Sequence, residues 1–202
     1  MKFTLKNSTD KTIEKIIEYD NAITTHLEFY NPDKNYQKEI EGGGLYNINA
    51  KRKTINPTFK IKLEANQTKV FYLKGSSHTT PLIIKLNLWN ADAFYDEEIF
   101  HQICLTLFFG AMIVLVLYNL FIFFFTKDIS YLFYISYLIA MTVHHALYVG
   151  VAQIYLLTQE QIITLIMYAS IIVNLPVYTL TLFSKTFLKT KQYPLWDKII
   201  NY

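Results

Sequence analysis

A single cysteine, Cys104, stands among 202 residues, so no intramolecular disulfide can form and the redox compartment leaves no mark on the sequence. Arginine is as scarce, with Arg52 alone among 19 basic residues. Six glycines and five prolines are too few for a low-complexity linker. The formal charge of +3 is small and dispersed, which excludes a nucleic-acid binder. The most telling lack is of charge itself. From Ile99 to Ser184 the only charged side chains are Lys127, Asp128 and Glu160, whereas residues 1–98 carry 14 Lys/Arg and 13 Asp/Glu. A charged block followed by an apolar one excludes a simple globular enzyme, a disordered chain and a disulfide-stapled mini-protein. The sequence contains no nucleophile elbow, paired-Cys metal site or kinase loop. Gly42–Gly44 lacks the Gly-Lys-Ser/Thr continuation of a phosphate loop and reads as a turn. Neither catalysis, nor a cofactor, nor a metal site is expected.

What is there is length of apolar chain. A bilayer core of about 30 Å needs roughly 20 apolar residues in a helix. Three runs meet that length and are expected as spans: 103–125, 129–157 and 161–184, the last interrupted by Pro176. Basic residues favour the cytoplasmic side. Lys127 in the first loop and the lysines of the tail therefore face the cytoplasm, while Asp96–Glu98 and Glu160 face outward. Residues 189–202 form a basic cytoplasmic segment. The tail motif Tyr193–Trp196 reads as an interfacial anchor.

Residues 1–92 read as an extracytoplasmic β-domain. Apolar residues alternate in Lys2–Lys6, Thr25–Tyr30, Phe59–Leu63 and Leu82–Leu88, with turn residues between them. Phe59–Leu63 and Lys69–Leu73, separated by Glu64–Gln67, are expected to form a hairpin. Residues 11–19 are read as a strand. Asn90 or Asp92 is expected to start the helix leading into the first span. Short strands at this spacing predict a β-sandwich, so the fold class is an all-β domain followed by an α-helical membrane bundle. Two ends look incomplete. MKFTLKNSTD has no apolar signal region, and the sequence stops 18 residues past the third span, so truncation at both ends is expected.

The stretches Leu117–Phe121, Thr126–Tyr134 and Gly150–Leu156 resemble bacterial seven-transmembrane receptors with diverse intracellular signalling modules. Upstream, Lys2–Asn7, Arg52, Phe59–Leu63, Phe71–Leu73 and Leu86–Trp89 followed by Phe94 are similar to that family's second type of extracellular domain. The resemblance implies a jelly-roll-like sandwich akin to carbohydrate-binding modules. It also implies a sensor in the bacterial inner membrane, which passes ligand binding inward to a kinase or cyclase module absent from this sequence. A signal peptide and four of the seven spans are also missing from it. The alternative is a membrane-anchored binding or accessory subunit of a transporter or envelope assembly. The expected partners are the lipid bilayer, a small ligand or sugar, and a second copy of the chain in a homodimer.

Ligand-binding candidates are Arg52, whose planar fork suits carboxylates and sugar hydroxyls, and Tyr46 and Trp89, whose rings could stack on a sugar face. A salt bridge for Arg52 and core packing for Trp89 are the plainer readings. Inside the apolar block, Asn119, His144, His145 and Gln153 are relay candidates, because polar groups in a membrane are functional candidates by default. Interhelical hydrogen bonding is their plainer role. Adjacent histidines point about 100° apart on a helix and do not share a metal. Pro176 is expected to kink the third span. Glu97 and Glu98 read as solvated carboxylates at a helix start. Asn7–Thr9 and Asn66–Thr68 match glycan acceptor patterns that arise often by chance. The segment Asn90–Phe100 is the expected link between sandwich and membrane.

Overall fold

The computed structural model describes residues 1–36, 38–39, 43–47, 52–78 and 80–193. Gly42 and the Pro194–Trp196 part of the expected anchor lie outside them. The chain divides into two compact units: residues 1–102 with 147–166, and residues 103–146 with 167–202. The first therefore takes in more than the expected 1–92, adding the start of the first helix and a later helical stretch.

Seven strands build the first unit: β1 (Lys2–Lys6), β2 (Ile13–Tyr19), β3 (His26–Tyr30), β4 (Lys38–Glu39), β5 (Thr58–Leu63), β6 (Thr68–Ser76) and β7 (Leu86–Asn90). They form one sheet in the order β1-β6-β3-β4 and another in the order β5-β2-β7. Period-two alternation sends one face of each sheet inward. Ile17, Tyr19, Phe59, Ile61 and Leu63 meet Leu27, Phe29, Phe71 and Leu73 in a shared core. Phe29 stacks on Phe59 across that core at 4.3 Å. Two sheets closed over one apolar layer make a β-sandwich.

Two expectations about strands need correction. Phe59–Leu63 and Lys69–Leu73 do not form a hairpin. β5 pairs with β2, and β6 pairs with β1 and β3. The turn between them, with Asn66 at φ 57°, carries the chain from one sheet to the other. Alternation reports which residues face the core, and both strands face the same one, so periodicity cannot tell an arch from a hairpin. The Leu82–Leu88 alternation also overstates its strand: residues 81–85 have no regular structure, and β7 begins at Leu86.

Helices follow: α1 (Ala91–Thr126), α2 (Ile129–Tyr148), α3 (Val151–Tyr155), α4 (Gln159–Met167) and α5 (Ala169–Phe187). α1 is the one described helix long and apolar enough to cross a bilayer by itself. The expected span 129–157 is broken at Gly150, whose φ of 88° ends the run after α2. Four tyrosines and two histidines lower the apolarity of α2 itself. The expected span 161–184 is also broken. α4 and α5 meet at a bend of 67°, and together they have the length and apolarity of a second span. That break falls at Tyr168, and α5 continues through Pro176. Proline tolerates the interior of α5, but the sharp turn lies elsewhere.

In the second unit, His145 packs against Phe108 and Phe109 at 4.9 and 6.0 Å. Tyr134 contacts Phe183 at 5.0 Å. The α1–α2 turn places Lys127 at φ 54°. Asp128 there accepts the Ser130 N–H at 2.9 Å, and that bond holds its carboxyl below the usual range.

Candidate functional site

β2 turns Ile17 and Tyr19 into the core, so Ile16 and Glu18 face the opposite side of its sheet. On that outer face Asn87 lies across from Glu18, and Trp89 across from Ile16. The strand β7 passes into α1 with no intervening residue, since Asn90 ends one and Ala91 begins the other. Asn90 sits beside Lys15, near the start of β2. From there the helix doubles back along the sheet. The Lys60 ammonium lies 5.7 Å from the Tyr95 ring. Phe94 is buried and meets Trp89 edge-on at 6.3 Å. About one and two turns further on, Glu98 and Gln102 reach the 52–56 loop beyond the far end of β2. Between helix and sheet lies a cleft of about 190 Å³ lined by Glu18, Asp20, Asn56, Asn87, Trp89, Phe94, Glu97, Glu98 and His101.

Glu18 is 8% exposed and organises the floor. One carboxylate oxygen accepts from Asn56 Nδ2 at 2.7 Å. The other accepts from the Trp89 indole at 2.7 Å and from Asn87 Nδ2 at 3.1 Å. A buried carboxylate survives where charge-assisted hydrogen bonds replace water. Asp20 takes a further bond from Asn56 at 3.2 Å and pairs with Lys85 at 2.5 Å. That bond raises the Lys85 ammonium above its ordinary value.

Glu98 is likewise 8% exposed, which corrects its reading as a solvated helix-start carboxylate. Its Oε1 accepts the Ile55 backbone N–H and the Gln102 amide, both at 2.7 Å. Gln102 also donates to the Lys53 carbonyl at 3.0 Å and accepts from the Tyr155 hydroxyl at 3.0 Å. Arg52 completes the loop from within. Its guanidinium donates to the carbonyls of Thr54, Gly43 and Ile55. Burial lowers its pKa to about 10, against the pull of nearby Glu98.

The later helical stretch of the same unit packs on these loops. A Cβ on Gly150 would lie 2.7 Å from Ala22 Cβ, so the two backbones approach as only glycine permits. Gln159 Nε2 donates to the Leu45 carbonyl at 2.6 Å. Gln153 donates to the Leu147 carbonyl at 2.6 Å, while its buried Oε1 has no hydrogen-bond partner among the described residues. A second cleft of about 410 Å³ opens here, sharing Asp20, Asn56 and His101 with the first and reaching Pro81, Ile83, Tyr148 and Val149.

The residues singled out in the sequence do not converge. Trp89 lines the first cleft. Arg52 sits in the adjoining loop with its fork spent on backbone carbonyls. Tyr46 stacks on His26 at 4.7 Å and lines neither of the two clefts. In the second unit, Asn119 is buried and donates to the Leu115 carbonyl of its own helix at 2.8 Å. His144 and His145 lie on α2, and Pro176 is buried in α5. Sequence reasoning missed Glu18, Asn56 and Glu98. Apart from Gln102, four residues from Glu98, the hydrogen-bond partners named here lie 36 to 71 residues away in sequence, so no local pattern marks them. The one available hint is Glu18 itself, a carboxylate next to Ile16, Ile17 and Tyr19 in a buried strand.

Two family models match the chain. The model described as 7TM diverse intracellular signalling covers residues 101–202, and 7TMR-DISM extracellular 2 covers residues 1–90. The chain belongs to the 7TMR-DISM family. It is a membrane receptor with an extracellular domain; Glu18, Asp20, Asn56, Asn87 and Trp89 of the cleft fall in the extracellular match, Phe94, Glu97 and Glu98 between the two matches, and His101 at the start of the other. The comparisons with curated proteins and with solved structures give no match.

Proposed function

We propose that this chain is the ligand-sensing part of a receptor whose extracytoplasmic sandwich, of jelly-roll type, takes a small polyhydroxylated ligand such as a sugar. It sits in the bacterial inner membrane, crosses three times and ends in the cytoplasm, where a separate signalling module reads the change. The observation that carries the reading is the cleft under α1. It offers an aromatic ring, two amides and carboxylate acceptors around one small space, a set that suits stacking and hydroxyl recognition. Anionic ligands are disfavoured, because Glu18, Asp20, Glu97 and Glu98 all face it. The walls belong half to the sandwich and half to α1, so occupancy changes the energy of one helix position relative to another. Asn56 and Glu98 tie that change to the 52–56 loop, on which Gly150 also rests.

The test is calorimetry of the nanodisc-embedded chain against a panel of neutral, amino and acidic sugars, with Trp89→Ala and Glu18→Gln beside it. Binding of a neutral or amino sugar that weakens about tenfold or more in either variant supports the assignment. Binding that is equally tight in both variants places the ligand elsewhere.

A further inference from the structure

The loop from Pro81 to Ile84 carries three consecutive large apolar side chains on the surface of the sandwich. Leu82, Ile83 and Ile84 are 46%, 61% and 39% exposed. An extracellular domain seldom leaves such a run to water without a partner. The backbone is fixed at both sides of Ile84. The Tyr19 hydroxyl donates to the Ile83 carbonyl at 2.9 Å, and the Asp20 N–H donates to the Lys85 carbonyl at 3.0 Å. Tyr19 is itself fully buried. The loop is therefore held in place from beneath, and its side chains have no route into the core, already filled by Phe29, Phe59 and Phe71.

Its position names the partner. Pro81 and Ile83 line the same cleft as His101, Tyr148 and Val149. His101 stands two residues into the charge-free run that begins at Ile99, and Tyr148 closes α2. These are the residues at which the apolar length of the helices starts, the level of the lipid headgroups. On α1 the apolar surface is already open there, with Ile99 58% and Phe100 63% exposed. Ile83 and His101 line one cleft, so the loop stands beside the foot of that apolar run. Lys85 follows immediately, its side chain 63% exposed, as a basic residue placed for the headgroup layer.

We propose that Leu82–Ile84 is a membrane wedge: the sandwich inserts this loop into the outer interface of the bilayer, giving the domain a second attachment beside α1. The class of partner is a lipid surface. Insertion would fix the tilt of the sandwich against the bilayer and place the mouth of the larger cleft at the headgroup layer.

The test uses the full chain in nanodiscs of phosphatidylcholine and phosphatidylglycerol. Cys104→Ser removes the native thiol. Ile83→Cys, or Ala65→Cys in the exposed β5–β6 turn, then carries an environment-sensitive fluorophore. The wedge predicts a blue-shifted emission at position 83. It also predicts quenching by lipids spin-labelled near the headgroup at least roughly twofold greater than at position 65, with iodide quenching reversed in order. Equal lipid quenching at both positions overturns the proposal. So does protection of position 83 from lipid and iodide alike, the signature of a protein partner or a second copy. An Ile84→Cys label, expected to behave as position 83, guards against a local defect of one variant.

Discussion

Asn7 shows how much a single side chain holds together in the sandwich. Its amide donates to the carbonyls of Lys11, Leu63 and Glu64, and its oxygen accepts from the backbone and hydroxyl of Thr9. It is 1% exposed. The acceptor pattern Asn7–Thr9 thus has no free amide to offer a glycan. Asn7→Asp replaces the donor by a charge facing three carbonyls. The expected cost is about 3 kcal/mol, seen as a lower denaturation midpoint by Trp89 emission. Glu18→Ala is expected to cost about 2 kcal/mol, because it strands the Asn56, Asn87 and Trp89 donors, and to shift that emission as the indole loses its partner. Tyr19 supplies a test in alkali. Burial raises its pKa above the ordinary 10.0. The folded state thus holds this proton more tightly than the unfolded chain, so its contribution is complete below about pH 10 and is lost as pH rises through the folded value. An absorbance titration is expected to show one tyrosine ionising only as the sandwich unfolds. None of these roles could be read in the sequence. Trp89 was visible as a large aromatic in a strand, but the carboxylate that orients it is 71 residues distant. Arg52 was visible as the lone arginine, yet its partners are backbone carbonyls, which carry no sequence signature.

At the scale of elements, alternation located most strands because half-buried sheets impose it: β1 and β3 lie where it placed them, and β2 lies within residues 11–19, read as a strand from its neighbours. It failed for connections. The β5–β6 arch and the breaks at Gly150 and Tyr168 depend on which surface the chain must meet next, and uniform apolarity hides that. Gly150 is the clearest case. Its positive φ and its contact with Ala22 both exclude a side chain. Gly150→Ala is expected to cost about 1–2 kcal/mol locally and to speed hydrogen exchange across residues 147–166. Adding Ala22→Gly restores the space but not the backbone strain, so exchange is expected to recover only in part.

At the scale of the whole molecule, the three-crossing topology makes a direct prediction. Three crossings require Lys127 and Thr158 on opposite sides. In the Cys104→Ser background, an impermeant maleimide applied to intact cells is expected to label Thr158→Cys at once and Lys127→Cys only after permeabilisation. Equal labelling of both would argue that α2 does not cross. The direct passage from β7 into α1 has a mechanical consequence. The helix is pinned at Glu98 and Gln102, so those two residues act as a fulcrum. Beyond Gln102 a further 24 residues of α1 remain, an arm of about 36 Å at a rise of ~1.5 Å per residue. A tilt of about 5° at the fulcrum would carry Thr126 sideways by roughly 3 Å over that arm. In the proposed sensing role, a small ligand that widens the cleft by an ångström at the short end of α1 would have its displacement enlarged at the long one, while β7 stays paired to β2.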